Sequence, residues 1–550
     1  MHRHSAAAMF GAMLDSPTPR RPTAASPALR AGLVAGLALA AFAVFHGALA
    51  YFFAQDDFAG LARARGILPA LQGPWRYLSG QTYFDLMSRV AGLHPLPYRL
   101  ASFAGHVATT GLLLALMLRS VSPPAAWLGA MFFAVHPALY TALYSVSGIG
   151  EILAAGFGLA ALLAAGWPGW RRWAAVPLFA LSLLSKESTL LLPLVLWLTP
   201  PSVARAGGLE HGRPDSGLRR HLLPAALAAL AIVYAGSFLA RDTFGVRAGL
   251  GASEPYALRF DATLLANGLT YAGWSVDFFM PTVRSFSDAV DPAVFGYGLA
   301  GVLVWFAGLA VPALRARGWI LGGALCLACL LPVLPLAPHT YHYYLYAPLA
   351  GAAMCVAVAA SLALERSGAR PSAPARGGKT PRAGTTSTPA PGAPAVTWGV
   401  TTALAALLAL NGAALVRKIE THPFIPPVLR TDPTVDRARI ARNVYADLEA
   451  APLPDSVTLR FWSPTSIAAA QAAGRDPSVE TYWELNVRNA LLDGLAVRVL
   501  FPRVRRVEFV RSFTPDADSV RYAVYLLDGH LRVGTPGEIE AALHAPHGSR

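Results

Sequence analysis

AGLVAGLALAAFAVFHGALAYFFAQDDF, residues 31–58, decides how this chain reads. From Ala31 to Phe53 there is no Asp, Glu, Lys or Arg. A run of that kind crosses a bilayer as a helix. Asp56 and Asp57 then emerge at the membrane surface. Two carboxylates there cost free energy unless water, a cation or a polar ligand solvates them. Such a pair can activate a hydroxyl or hold a divalent cation. A solvated loop start is the commoner use of an acidic pair. Position singles this one out, because topology puts other polar groups on the same face.

Composition agrees with a membrane chain. The 550 residues are 54% hydrophobic and 14% charged, with a mean hydropathy of +0.44. A soluble domain carries nearer a quarter charged residues. The net charge of +14 suggests nucleic acid at first sight, but here the basic residues have a simpler use in orienting helices. Cys326, Cys329 and Cys355 all lie in apolar segments and read as small packing residues, with no disulfide framework. Ala48-Leu49-Ala50 resembles a signal cleavage site. The long leader and long apolar run favour an uncleaved signal anchor.

Hydropathy predicts a mainly α chain, a polytopic bundle of about eleven spans. Their limits are near 31–53, 98–118, 125–143, 148–166, 173–185, 188–200, 222–240, 294–312, 318–337, 343–364 and 397–416. Arg20, Arg21 and Arg30 precede the first span, Arg119 follows the second, and Arg171 and Arg172 follow the fourth. Arg219 and Arg220 follow the sixth, Arg315 and Arg317 the eighth, and Arg366 and Arg370 the tenth. All these loops fall on one side, which the positive-inside rule makes cytoplasmic. Residues 1–30 are then a cytoplasmic tail, 31–364 the main bundle with outer loops 54–97 and 241–293, and 397–416 the last span. Residues 365–396, rich in Pro, Gly, Ser and Thr, read as a disordered basic linker. The apolar stretch 262–276 is short and reads as interfacial or re-entrant; if it crossed, every later side would change.

Residues 417–550 have the composition of a soluble domain, expected on the outer side, periplasmic or extracellular. Alternation predicts strands at Ser456–Trp462, Ala496–Phe501, Arg505–Ser512 and Val520–Val533. Helical spacing marks Ser466–Ala473 and Tyr482–Leu495. This is a small α/β or α+β domain. Its arginines Arg503, Arg505, Arg506 and Arg511 read as a solvated strand face rather than a contact with anionic headgroups or glycans.

This topology brings three more polar clusters to the outer face with Asp56 and Asp57. His136-Pro137 ends the third span, and Glu151 opens the fourth. A glutamate entering lipid needs a partner or an aqueous cavity; the plain alternative is a helix-start acid favoured by the macrodipole. Ser185-Lys186-Glu187-Ser188-Thr189 is a polar island between apolar helices. Lys186 can bind a phosphate, with Glu187 pairing or orienting it; a tight turn would more usually carry Gly, Pro or Asn. The fourth cluster, residues 338–348, includes His339, His342 and Tyr346 where a helix re-enters the membrane. An interface belt accounts for its tyrosines better than for its histidines.

Taken in order, these motifs resemble the GT-C class of membrane glycosyltransferases, most of all its TMTC-type and bacterial protein-O-mannosyltransferase-like branches. The matches are Asp56-Asp57 in the first outer loop, His136-Pro137 through Glu151, Ser185-Lys186-Glu187, the proline-to-aspartate stretch 279–288, and Leu345-Tyr346-Ala347-Pro348. Together they span 31–364. Where that family often has Glu-Arg before the Leu-Tyr-x-Pro element, this chain has His342 and Tyr343. The helical repeats of TMTC proteins are missing. The resemblance implies a polyprenyl-phosphate-linked sugar donor, a protein or glycan acceptor, inversion at the anomeric carbon and an inner (plasma) membrane location. It makes Asp56 or Asp57 the general base or a ligand of a divalent cation. It assigns Lys186, His339 or His342 to the leaving phosphate. Two other classes compete: a transporter or lipid-linked-sugar flippase, and a non-catalytic anchor for the C-terminal domain. Transporters place charge near the midplane and show paired repeats; neither is seen here.

Overall fold

The computed structural model describes residues 26–198, 219–241, 259–276, 292–336, 340–368, 393–421, 431–462, 486–510, 513, 520–525 and 530–544. The expectations at His339, at 279–288, at Ser466–Ala473 and over most of the 365–396 linker lie outside these residues.

Helix α1 is Pro27–Phe45, continued by the 3-10 turn His46–Ala50. Ser26 caps it by accepting from the Leu29 N–H at 3.2 Å, and Pro27 fills the first position, where no N–H is needed. Next come α2 (Asp56–Ala64), α3 (Tyr83–Ala91), α4 (Pro95–Met117), α5 (Pro123–Ala134), α6 (Tyr140–Tyr144), α7 (Ile149–Ala165), α8 (Ala175–Ser185) and α9 (Leu192–Leu198). The second half of the bundle has α10 (Arg219–Arg241), α11 (Ala262–Val276), α12 (Pro292–Ala310), α13 (Pro312–Ala316), α14 (Trp319–Leu330), α15 (Tyr346–Gly368) and α16 (Ala393–Thr421).

Among the described residues four helices are long and apolar enough to cross a membrane: Pro27–Ala50, Pro95–Met117, His342–Arg366 and Ala395–Thr421. Shorter apolar helices, Ile149–Ala165 and Trp319–Leu330 among them, fill the places of other expected spans. The fold is a polytopic helical bundle, without establishing eleven crossings. The third expected span, 125–143, is not one straight helix. It stops at Ala134 and resumes after Pro137 with a bend of 49°. The residue before a proline avoids helical backbone, and His136 accordingly stands extended at φ −65°, ψ 123°.

Close helix crossings depend on small residues. Gly322 of α14 and Gly351 of α15 face each other so tightly that a Cβ on Gly322 would lie 2.7 Å from the Gly351 carbonyl. Cys355 sits at the same crossing, and all three cysteines are free thiols.

The C-terminal domain opens with α17 (Pro433–Ala450), capped by Asp432, whose Oδ1 accepts from the Thr434 N–H at 2.9 Å. Strand β1 (Val457–Trp462) buries Val457, Leu459 and Phe461 by alternation. Helix α18 (Leu495–Leu500), β2 (Val504–Phe509), β3 (Val520–Tyr525), β4 (Leu531–Gly534) and α19 (Pro536–His544) follow. The sheet order is β2-β1-β3-β4, with β1 parallel to both neighbours and β4 antiparallel to β3. Two expectations change here. The alternating run 496–501 is helical, because Leu492, Asp493 and Gly494 turn the chain through three left-handed residues and start a new helix. The run 520–533 is two strands, not one. Within the expected helix 482–495, residues 486–490 are helical.

The domain is not a detached appendage. Phe53, Phe58 and Phe84 from the loops beside the bundle share one hydrophobic core with Val444, Leu459 and Val499. The Gln55 N–H donates to the Ala490 carbonyl at 3.1 Å, and Arg65 Nη1 to the Val499 carbonyl at 3.1 Å.

Candidate functional site at one end of the bundle

Helix α2 begins at the acidic doublet, entered through Gln55 at φ +50°. A helix turns about 100° per residue, so the two side chains point apart. Asp57 is buried. Its Oδ2 accepts from the Ala54 N–H at 3.1 Å; its Oδ1 accepts from the Ser147 N–H at 2.7 Å and the Ser145 hydroxyl at 3.1 Å. Burial pushes the Asp57 carboxyl above its ordinary value, while Arg99 and the backbone N–H groups of Ser147, Ala54 and Val146 pull it down. Arg99, fully buried near the start of α4, donates to the carbonyls of Phe52 at 2.7 Å, Leu143 at 3.3 Å and Tyr144. Asp57 and Arg99 thus clasp the end of the first span to the 143–147 turn. Asp56 is exposed.

Glu151, in the first turn of α7, is fully buried. Lys186 Nζ lies 2.8 Å from its Oε1, and the Ser188 hydroxyl donates to its Oε2 at 2.9 Å. The expected pairing of Lys186 with Glu187 does not occur. Lys186 has extended backbone, φ −166° and ψ 153°, and extended residues send successive side chains to opposite sides. Glu187 instead receives both arms of Arg76, with Nε at 3.1 Å from Oε2. Arg76 comes from the loop before α3 and stands at φ +48°. The Glu187 carboxylate holds its guanidinium above the usual range. Lys186 Nζ also lies 4.4 Å from the centre of the Tyr343 ring and 5.2 Å from that of Tyr344.

The aromatic element is the 3-10 turn His342–Leu345 leading into α15. His342 stacks on Trp274 of α11, ring centres 3.9 Å apart, and lies 5.7 Å from Tyr140. His342 Nδ1 and Trp274 Nε1 are buried with no hydrogen-bond partner among the described residues. The Tyr140 hydroxyl donates to Asp432 Oδ2 at 2.8 Å, and burial raises the Asp432 carboxyl. On the next turn of α17, Arg437 interacts electrostatically with Tyr341, Asp432 and Asp56. The C-terminal domain thus contributes Asp432 to the Tyr140 side of this element.

Two expected site residues are held by partners within the bundle. His136 Nδ1 accepts from the Ala138 N–H at 3.2 Å, while Nε2 faces the Ser275 carbonyl at 3.2 Å and donates to it. The Tyr346 hydroxyl donates to His106 Nδ1 at 2.7 Å, and His106 Nε2 donates to the Ala134 carbonyl at 3.0 Å. Arg76, Arg99, His106, Trp274, Asp432 and Arg437 were not singled out from sequence. Arg99 and His106 carried a usable signal, as ionisable residues inside an expected span. Arg437 carried none, since an arginine on an amphipathic soluble helix is ordinary.

The residues present do not fit a cation held between Asp56 and Asp57. Both Asp57 oxygens are engaged by protein donors, and no group of three or more His, Cys, Asp or Glu among the described residues is placed to hold a metal.

No protein-family model matches the chain, and no curated protein does. Among solved structures, ArnT from Cupriavidus metallidurans, crystallised with undecaprenyl phosphate, is similar over 94% of this chain and 95% of that one, with 13% identity and a TM-score of 0.46. That likeness is too slight to carry an assignment.

Proposed function

We propose that this chain moves a sugar from a polyprenyl-phosphate carrier to an acceptor hydroxyl at the end of the bundle where Lys186 meets the 341–346 element, with Asp56 as the base. By the positive-inside reading this end, and the C-terminal domain with it, faces outward from the inner membrane. The observation that carries the reading is that Lys186 lies over Tyr343 and Tyr344 while the adjacent Glu187 holds Arg76, so two cations flank one polar island, each with its own carboxylate. An ammonium and a guanidinium have more donors than one carboxylate engages. Those left over suit the phosphate oxygens of a leaving polyprenyl phosphate.

The acceptor oxygen attacks the anomeric carbon as its bond to the phosphate oxygen breaks. The electron pair leaves with the phosphate, and the hydroxyl proton passes to the Asp56 carboxylate. Attack opposite the leaving group inverts the centre. Asp57 holds the loop that presents Asp56. The unpartnered His342 and Trp274 nitrogens offer hydrogen bonds to sugar hydroxyls, a use that relieves the cost of burying them unpaired. Glu187 orients Arg76, and Glu151 orients Lys186.

The test is mass spectrometry of envelope glycans and glycoproteins from cells with and without this protein. Loss of one sugar from a defined acceptor is the expected result. An unchanged inventory, with the protein demonstrably present in the parent membrane, would remove the proposal.

A further inference from the structure

The C-terminal domain has a surface cavity of about 290 Å³ lined by Arg498, Arg505 and Arg506 together with Asp493. Adjacent strand residues normally point to opposite faces of a sheet. Here the register explains the exception. Val457 pairs with Val504 and Thr458 with Arg506, so Arg505 is an extra residue in a bulge of β2. A bulge re-aims a side chain, and both arginines line the same cavity. Arg498 joins them from α18, which the left-handed run Leu492, Asp493 and Gly494 turns toward β2.

Asp493 pairs through Oδ1 with Arg488, at 2.9 Å, and makes no ion pair with the three cavity arginines among the described residues. Arg506 leans on Glu508 through Nε at 2.9 Å, leaving its two terminal nitrogens. Arg498 and Arg505 have no carboxylate partner among the described residues. Edge strands carry charge and bulges to discourage pairing with other chains. That accounts for an arginine on β2, but not for three converging on one concave surface from two segments of chain.

We infer that this cavity is a binding site for a phosphate-bearing anion, recognised by guanidinium forks. The inference does not depend on sugar transfer. The phosphate could belong to a solvent-borne group or to a lipid headgroup, and two probes separate these sources: inorganic pyrophosphate and short-chain phosphatidylglycerol.

The experiment is calorimetric titration of the full-length protein in neutral detergent with each probe. Saturable binding of at least one is expected. Pyrophosphate binding assigns a solvent-borne group, and binding of phosphatidylglycerol alone assigns a headgroup. The double variant Arg498→Gln/Arg505→Gln should weaken it at least about tenfold. Arg503→Gln/Arg532→Gln, which removes the same charge outside the cavity, should leave it unchanged. Thermal melts check folding, and single Arg505→Gln replaces the first double variant if that does not fold. Three results would overturn the inference: no binding of either probe by the wild type, full binding by the cavity variant, or equal weakening by the control. Failure of the sugar-transfer reading would show in the envelope inventory and leave this titration untouched.

Discussion

Lys186 and Glu151 form a buried ion pair, Nζ to Oε1 2.8 Å, between the polar island after α8 and the first turn of α7. Their side chains are 11% and 0% exposed. Removing one partner of such a pair strands a charge and costs about 3–5 kcal/mol. Lys186→Met and Glu151→Gln should each destabilise by roughly that amount, and the pair of changes together by clearly less than the sum. Unfolding of the purified variants in detergent measures both. Additive losses would show that the two groups are not coupled.

The acidic pair should divide by role. Asp56→Asn is expected to abolish sugar transfer with stability unchanged, because Asp56 is exposed. Asp57→Asn is expected to cost about 1–3 kcal/mol, since one of its oxygens becomes a donor facing donors. Burial raises the Asp57 carboxyl above 3.8 in the folded protein. Between the unfolded value and the raised one, folding takes up a proton, so the wild type loses stability as pH rises through that window. The variant has no group there, so its deficit should shrink over the same window. Stepped-pH unfolding of the two proteins checks this, and a deficit that widens with pH would refute the assignment.

Arg437 tests whether the C-terminal domain completes the site. Arg437→Ala should lower the rate of transfer by about 10²-fold per folded molecule, with partial recovery in Arg437→Lys. The readout that matters is the split between kcat and KM in a polyprenyl-phosphate-sugar assay. Wild-type kinetics in Arg437→Ala would confine the site to the bundle.

Tyr346 is expected to act through structure alone. Tyr346→Phe leaves His106 Nδ1 buried without its donor, which costs about 1–3 kcal/mol. The protein that remains folded should bind a polyprenyl phosphate like the wild type in native mass spectrometry. A specific loss of lipid binding at full stability would return Tyr346 to the donor site.

The bundle was legible because bilayer-length apolar runs admit few solutions. A helix satisfies its own backbone in lipid, so 98–118 and 148–166 could be placed to within a few residues of α4 and α7. The sheet was half legible. Alternation located β1, but the same pattern at 496–501 belongs to a helix, since burial on one side yields either period in so short a run.

The amino-acid order alone was enough for the apolar segments, for Asp56, Glu151 and Lys186 as the polar groups that need explaining, and for a small mixed domain after them. Partner choice lay beyond it. His106 and Tyr346 meet across 240 residues of chain, Glu187 takes Arg76 and leaves Lys186 to Glu151, and Asp432 of another domain takes the Tyr140 hydroxyl. Hydropathy and helical period are set by neighbours along the chain. Which charge compensates which is set by packing that brings distant segments within a few ångströms, where desolvation makes an unpaired group too costly to keep.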